Sequence, residues 1–251
     1  MKLYHELAEH YFAIENNHRD IRTDVTFITA LLGERENPAL LDLGCGSGEH
    51  LGLLSRQGIR CTGIDISGDM LAQARERFPE GIEFIRASMA EIDYEEAFDI
   101  VISLFGSFNY LINDAEIDSM LRKIRRALRP GGAGILEIWN SPPILKIREK
   151  DIGPVSTTTH GGSTIRRERG FRLRDDAFKT VVEVNYRYTV DGPDGMKNIR
   201  DRHVMRCFTT GEITRFLTAA GLTVRNIFAN FNSEPYLENS NRMVVLFERS
   251  V

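Results

Sequence analysis

Cysteine is scarce in this chain of 251 residues: Cys45, Cys61 and Cys207 are three, odd in number and far apart. That spacing excludes a disulfide framework and a zinc knuckle, and reduced thiols in a cytoplasm are expected. Long hydrophobic runs are missing too. No apolar stretch reaches the roughly 18 residues of a membrane span. Met1 to Glu6 lack a basic region followed by an apolar one, so no secretory signal is read there. An excess of positive charge is also absent. The 32 basic and 36 acidic residues leave −4, which disfavours a dedicated nucleic-acid or membrane-surface protein. No His, Cys, Asp and Glu cluster at metal-ligand spacing, so no metal is expected.

What is present is an ordinary globular mix, 42% apolar and 27% charged, long enough to bury a core unaided and sized for one domain with an insertion. The charge is unevenly spread. Residues 141–208 hold 14 Lys and Arg against 9 Asp and Glu, and the remainder holds 18 against 27.

Helical spacing runs through residues 1–32, with Leu3, Leu7, Tyr11 and Ile14 and then Ile21, Val25, Ile28 and Leu32 on one stripe. Strands are then expected near 39–43, 60–66, 82–87, 98–104 and 134–139. Helices are expected from Glu49 to Gln57, from Ser67 with Met70, Leu71, Ala74 and Phe78 inward, and from Asn113, which has capping-box spacing to Glu116. This alternation predicts a parallel sheet with right-handed crossovers. After Pro142-Pro143 the rhythm changes to long antiparallel strands at 163–174, 178–190 and 197–208. A helix from Thr209, with Glu212 again at box spacing, and strands near 222–229 and 242–249 close the pattern. The expected fold is α/β: a Rossmann-like doubly wound seven-stranded sheet with an antiparallel β insertion after the fifth strand.

The most informative stretch is Leu41-Asp42-Leu43-Gly44-Cys45-Gly46-Ser47-Gly48, between a strand and a helix. Glycines there let backbone turn tightly and approach a ligand at the carboxyl ends of the strands. A plain tight turn would use them too. Asp65 adds weight: it ends the second strand, where a carboxylate can accept from both hydroxyls of a ribose. An adenosine-containing ligand is indicated, and the G-x-G-x-G spacing is not that of dinucleotide enzymes.

These residues, with Gly63-Ile64-Asp65-Ile66-Ser67 and Pro130-Gly131-Gly132 before the fifth strand, resemble class I S-adenosylmethionine-dependent methyltransferases. The resemblance implies S-adenosyl-L-methionine as cofactor and S-adenosyl-L-homocysteine as product. It implies that Gly44, Cys45 and Gly46 run along the methionine moiety, that Asp42 orients the loop and the cofactor's amino group, and that Asp65 takes the ribose. Ser88 and Met89 occupy the adenine-contact positions, with Ser88 where relatives commonly carry Asp. Tyr11, Ile66 and Leu104 complete the candidate cofactor set.

A narrower resemblance lies in the insertion. Val182-Glu183-Val184-Asn185-Tyr186, Val190 to Gly195, His203 and Cys207-Phe208-Thr209, together with Phe105 to Leu111 and Tyr11, resemble the N,N-dimethyltransferases of nucleotide-linked amino sugars. The domain division expected is 1–140 with 209–251 as the methyltransferase domain under an N-terminal helical cap, and 141–208 as a substrate roof. Arg200, Arg202 and Arg206 share one face of their strand and could take a diphosphate; a solvated outer face is the alternative. Arg242 opens the last strand where phosphate could lie. Trp139 ends the fifth strand and either walls the acceptor site or plugs the junction. Phe178, Val182, Val184, Tyr186, Tyr188 and Val190 form an apolar stripe, of which Tyr186 is the pocket candidate. His203 is the candidate catalytic residue, as general base or as hydrogen-bonding partner of the acceptor.

Methyl transfer to a small molecule, an amine such as an amino sugar or nucleotide-linked sugar, is therefore the expected activity, in the cytoplasm, with an anionic acceptor, no membrane, and a homodimer as the assembly to test. An RNA methyltransferase and a non-catalytic cofactor-binding module are the alternatives. Nucleic acid is disfavoured because Ser103-Leu104-Phe105-Gly106 replaces the Pro-Pro-aromatic signature of base-amine methyltransferases.

Overall fold

In the computed structural model the described residues are 1–16, 20–174, 176 and 178–250. The chain opens with two 3-10 turns, Lys2–Tyr4 and Ala8–His10, and helix α1, Tyr11–Asn16; α2 follows at Arg22–Leu32. The helical spacing over 1–32 is thus interrupted, and the reason is tertiary. The Leu3 amide donates to Asp201 Oδ2 at 2.8 Å, and the Ser67 hydroxyl donates to the Tyr4 carbonyl at 2.5 Å. Those backbone groups find distant partners instead of helical ones. Leu3, Leu7 and Ile14 are buried all the same.

Next come β1 (Ala39–Leu43), α3 (Glu49–Ser55), β2 (Arg60–Asp65), α4 (Gly68–Arg77), β3 (Ile82–Arg86), β4 (Phe98–Ser103), α5 (Asp114–Ala127) and β5 (Leu128–Trp139). Ser67 caps α4 by accepting from the Met70 amide. Asn113 stands at the N-cap of α5 but makes no side-chain cap bond, so the capping box read from sequence is absent. β5 begins six residues earlier than the expected Gly134 because Leu128 pairs with Phe98 before the register shifts around the Pro-Gly-Gly turn.

After β5 the chain forms α6 (Ser141–Ile147), whose first turn holds the two prolines, a position where a missing amide is harmless. Four antiparallel strands follow: β6 (Glu149–His160), β7 (Ser163–Arg174), β8 (Thr180–Gly192) and β9 (Gly195–Cys207). Then come α7 (Thr210–Ala219), β10 (Thr223–Phe228) and β11 (Arg242–Glu248). α7 starts on a complete Thr209/Glu212 capping box.

The seven-stranded sheet has the order β10-β11-β5-β4-β1-β2-β3, with β11 antiparallel to both neighbours. The Rossmann-like architecture is the expected one. Alternation along the strands splits the core between the two faces. Leu41, Leu43 and Val101 pack with α5 and α7; Leu40, Ile100 and Ile102 pack with α2 and α3. Each such fully buried aliphatic side chain is worth about 1.5–3 kcal/mol. The second sheet, β6-β7-β8-β9, covers a third cluster that includes Leu3, Leu7, Val184 and Tyr188.

Three sequence expectations for the second sheet need correction. β6 is a fourth strand that the sequence pattern does not announce. It is an edge strand, and Gly153-Pro154 sits at register shifts against β7, where proline is tolerated. Phe178 lies before β8 and is 94% exposed, so it is outside the apolar stripe that Val182, Val184, Tyr186, Tyr188 and Val190 do form. Arg206 does not share the exposed setting of Arg200 and Arg202. The end of β9 runs under α5 and α7, and Arg206 is buried there, bonded to Asp114 at 2.6 Å and Glu212 at 2.5 Å between the rings of Phe208 and Phe216. Among the described residues no helix is long and apolar enough to cross a membrane.

Candidate active site at the strand heads

The glycine loop leaves β1 and is held by its neighbour strand. Gly44 and Cys45 both donate to the Ile64 carbonyl, at 2.8 and 3.0 Å. Gly44, Gly46 and Gly48 have φ of +88°, +55° and +77°, a region closed to most L-residues. A Cβ on Gly44 would lie 2.6 Å from the Ser107 side chain. The loop therefore passes where no side chain fits.

Asp65, at the head of β2, ties this loop down. Its Oδ2 accepts from Gly46 N at 2.9 Å and its Oδ1 from Ser67 N at 2.8 Å. Burial pushes its carboxyl above the usual range, against the pull of those backbone donors. Each carboxylate oxygen has a second lone pair for another donor.

Asp42 is the anomalous group. It is 3% exposed, and its Oδ1 has no hydrogen-bond partner among the described residues. Burial, and then the charge of Asp65, push its carboxyl up to about 8. A buried acceptor without a donor is costly and calls for an explanation. A cation or N–H donor in the adjoining cleft would supply one.

That cleft opens to solvent and holds about 490 Å³ of empty space, the open solvent included. Its walls are Tyr11, Phe12, Glu15, Asn16 and Ile21, the loop residues Asp42 and Gly44 to Ser47, Glu49 and His50 of α3, and Leu104 and Phe105 beyond β4. Six expected cofactor residues, Tyr11, Asp42, Gly44, Cys45, Gly46 and Leu104, thus share one cleft. Burial raises the Cys45 thiol and the Tyr11 hydroxyl well above their usual values, so both stay neutral. Met89 also reaches the loop, its methyl 3.7 Å from a Cβ built on Gly44. Ser88 caps the turn Met89–Glu91 and accepts from Ala90 N. The side chain of Ile66 is 66% exposed, an apolar ledge beside Asp65. The groups the resemblance implies for S-adenosylmethionine fit what is here: an unmatched buried acid, a ribose-ready carboxylate and a side-chain-free cradle.

Several lining residues were not among those picked from sequence. Phe12, Glu15 and His50, which pairs with the buried Asp24 at 3.0 Å, carry no motif of their own. Phe105 opens the Phe105 to Leu111 stretch of the narrower resemblance, and it and Gly106 have φ of +53° and +77°. Glu137 fixes that turn, accepting from Phe105 N at 2.8 Å.

The remaining expected residues fall into separate settings. His203 sits on the inner face of the second sheet, 2% exposed, with Nε2 2.9 Å from Asp201 Oδ2 and Nδ1 2.6 Å from the Tyr110 hydroxyl. Because a carboxylate only accepts, Nε2 carries a proton; in the neutral ring Nδ1 then accepts from Tyr110, whose oxygen in turn accepts from Tyr4 at 3.0 Å. Burial pushes the Asp201 carboxyl up, but the bonds from His203 and Leu3 N prevail and hold it well below the usual carboxylate range. Tyr186 packs edge-on against His203, centroids 5.0 Å apart, under the guanidinium of Arg167. Trp139 closes β5, with its Nε1 3.2 Å from a Cβ built on Gly106. Arg202 is exposed and pairs with Glu183 at 3.4 Å; Arg242 donates to Glu137 Oε1 at 2.6 Å. Neither arginine lines the cleft.

Comparison with known proteins agrees with this geometry. Residues 40–132, which contain the glycine loop and Asp65, match the family described as "Methyltransferase domain". The chain is 31% identical over 224 residues to the dTDP-3-amino-3,6-dideoxy-alpha-D-glucopyranose N,N-dimethyltransferase of Streptomyces fradiae, covering 87% of this chain and 84% of that protein. Among solved structures, an S-adenosylmethionine-dependent methyltransferase from Clostridium acetobutylicum superposes with a TM-score of 0.83 at 17% identity over 99% of both chains. DesVI from Streptomyces venezuelae does so with a TM-score of 0.78 at 24% identity over 98% of both.

Proposed function

The chain belongs to the S-adenosylmethionine-dependent methyltransferases, and from that premise we propose that it methylates an amine on a small, negatively charged acceptor. The observation that carries the amine is His203. Both ring nitrogens are engaged by Asp201 and Tyr110 and the ring is buried, so neither nitrogen is open to a hydroxyl of the acceptor. An amine needs no such base, since it can reach the cleft already neutral. The Streptomyces fradiae relative is by name an N,N-dimethyltransferase of an amino sugar, which supports the same class.

Bound in the cleft, the cofactor supplies a methyl group already activated on a sulfonium. The work of the chain is then placement, which can contribute on the order of 7–11 kcal/mol. In this reading Asp42 holds the ammonium group, and Asp65, set by Gly46 N and Ser67 N, holds the ribose hydroxyls. Gly44, Cys45 and Gly46 let the backbone lie close. Tyr11, Ile66, Ser88, Met89 and Leu104 close around the remainder and keep water out. Residues 141–208 act as the roof of the acceptor site, with Trp139 as its wall and Tyr186 bracing His203. Arg242, at the open end of β11, faces the acceptor side; Arg202 stays in solvent.

The test is a screen that follows S-adenosylhomocysteine release across amino sugars, their nucleotide-linked forms, matched hydroxyl analogues, amino acids and short RNAs. Turnover of an amine and not of its hydroxyl analogue is expected. Turnover confined to RNA or to hydroxyls would overturn the reading, and bound cofactor with no turnover on any acceptor would favour a regulatory module.

A further inference from the structure

We propose that Arg169, on the underside of the roof, is the side chain that receives the acceptor's anionic group, a phosphate or a carboxylate; this rests on the reading above. The sequence drew attention to the arginines of β9, and the structure redirects it to β7. Arg169 pairs with Tyr186 across β7 and β8, and Tyr186 pairs with Asp201 across β8 and β9. Residues directly opposite in a sheet project to the same face. This row therefore lies on the face that also holds His203, where Tyr186 and Asp201 are buried.

The other roof arginines that make ion pairs are matched by carboxylates of this chain. Arg167 pairs with Glu15 at 2.9 Å, Arg172 with Glu149 at 2.6 Å, Arg187 with Glu168 at 3.3 Å. Arg169 is half-buried, and its guanidinium carbon lies 5.9 Å from the centre of the Trp139 ring. Its guanidinium has no hydrogen-bond or ion-pair partner among the described residues. A partly desolvated guanidinium with five donors and no acceptor is set up for a planar, bidentate anion.

There is room beside it. Its cross-strand partner on β6 is Gly153, and a Cβ built there meets nothing within 4 Å. There is also a path to the cleft. Trp139 abuts Gly106, and Gly106 follows Phe105 in the cleft wall. An acceptor anchored at Arg169 by its anionic end would thus lie over Trp139 with its other end toward the strand heads.

The chain supplies its own reporter, because Trp139 is its single tryptophan. With S-adenosylhomocysteine bound, indole fluorescence is titrated with pyrophosphate and, separately, with glucuronate, against chloride at matched ionic strength. A saturable change is expected with at least one of them, and which one responds tells phosphate from carboxylate. Arg169→Gln should weaken that response at least about tenfold, and Arg169→Lys should fall between, since a point charge cannot bind as a fork. Arg172→Gln removes the same charge from the outer face of the same strand and should titrate like the parent. Retained S-adenosylhomocysteine affinity by calorimetry shows each variant folded. If the parent binds S-adenosylhomocysteine but neither anion, or if both Arg169 variants titrate like the parent, Arg169 only covers the indole and the proposal falls. Failure of the parent to bind S-adenosylhomocysteine would overturn the cofactor reading as well.

Discussion

Asp42 and Asp65 are two carboxylates at the heads of adjacent parallel strands, and the second raises the proton affinity of the first, adding to its burial. Only Asp65 has backbone donors on both oxygens; Asp42 is left with an unmatched Oδ1. The pair favours a bound proton or cation at the strand heads, and its energetics can be read by titration.

Folded Asp42 has its carboxyl at about 8, whereas in the unfolded chain it returns to about 3.9. The folded state therefore binds the proton more tightly, and the stability this contributes is complete below about 4 and is lost as pH rises through about 8. The melting temperature of the ligand-free protein is expected to fall between pH 5 and 8. Asp42→Asn should flatten that fall and raise the melting temperature at pH 8, while S-adenosylmethionine affinity drops. Scanning calorimetry of both proteins decides it; identical pH profiles would count against Asp42 as the buried acid.

Asp65→Ala removes charge-assisted hydrogen bonds worth roughly 1.5–3 kcal/mol and also frees Gly46 N and Ser67 N. Cofactor affinity measured by calorimetry should weaken at least about tenfold, the equivalent of about 1.4 kcal/mol. Asp65→Asn, which keeps an acceptor, should lose less. Equal affinity in all three proteins would make Asp65 a loop anchor only.

Gly44→Ala places a methyl group against Ser107 at a positive φ. Backbone strain of about 1–3 kcal/mol and the clash should together displace the loop and reduce cofactor affinity. Adding Ser107→Gly removes the clash but not the strain, so the double variant should recover part of the loss. A double variant no better than the single one would show that the φ angle, not the contact, decides.

His203→Ala should keep kcat within about tenfold, since an amine acceptor asks for no base; that is at most about 1.4 kcal/mol of transition-state stabilisation. Stability should fall by about 1–3 kcal/mol in all, because the buried Tyr110 hydroxyl loses its acceptor, while Asp201 loses one donor and keeps Leu3 N and Arg202 N. A thousandfold loss of kcat at saturating acceptor, with the melt and cofactor binding intact, would instead make His203 part of proton transfer.

Arg206→Ala separates structural from substrate-facing arginines. Removing one partner of a buried ion pair costs about 3–5 kcal/mol, and the half-exposed Asp114 puts this case at the lower figure. A lower denaturation midpoint with unchanged acceptor KM is expected. A raised KM would return Arg206 to the diphosphate role first suggested by its place on the strand.

The alternation of strands and helices, the glycine loop and Asp65 were legible because each is written locally. Period-2 and period-3.6 patterns, and a turn that tolerates only glycine, need no knowledge of the rest of the chain. The misread parts depend on what packs above them. The alternation of β9 predicts an exposed Arg206, but helices from either side of the insertion cover that end of the strand. β6 has Gly153-Pro154 and a threonine run where a strand pattern would be expected, and it is a strand because β7 offers it an edge. Glu15 and His50 enter the cleft through helix placement alone. Arg169 was invisible for the same reason: it closes the charged run Arg166-Arg167-Glu168-Arg169, and only the pairing with Tyr186 reveals which way it faces.

β11 lies inside the large sheet, between β5 and β10, with Met243, Val244, Val245 and Phe247 fully buried and the Phe247 ring filling the space left by Gly134. Its partner β5 ends at Trp139, and the whole roof lies between them in the chain. The hydrogen bonds that finish the sheet therefore join segments about a hundred residues apart, and such closures come late and slowly in folding. Until they form, β5 offers a bare strand edge and the two hydrophobic layers on either side of it remain open. The parallel strands around the glycine loop, which pair with much nearer neighbours, can assemble first, so the ligand cradle is in a position to exist before the domain that shelters it is complete.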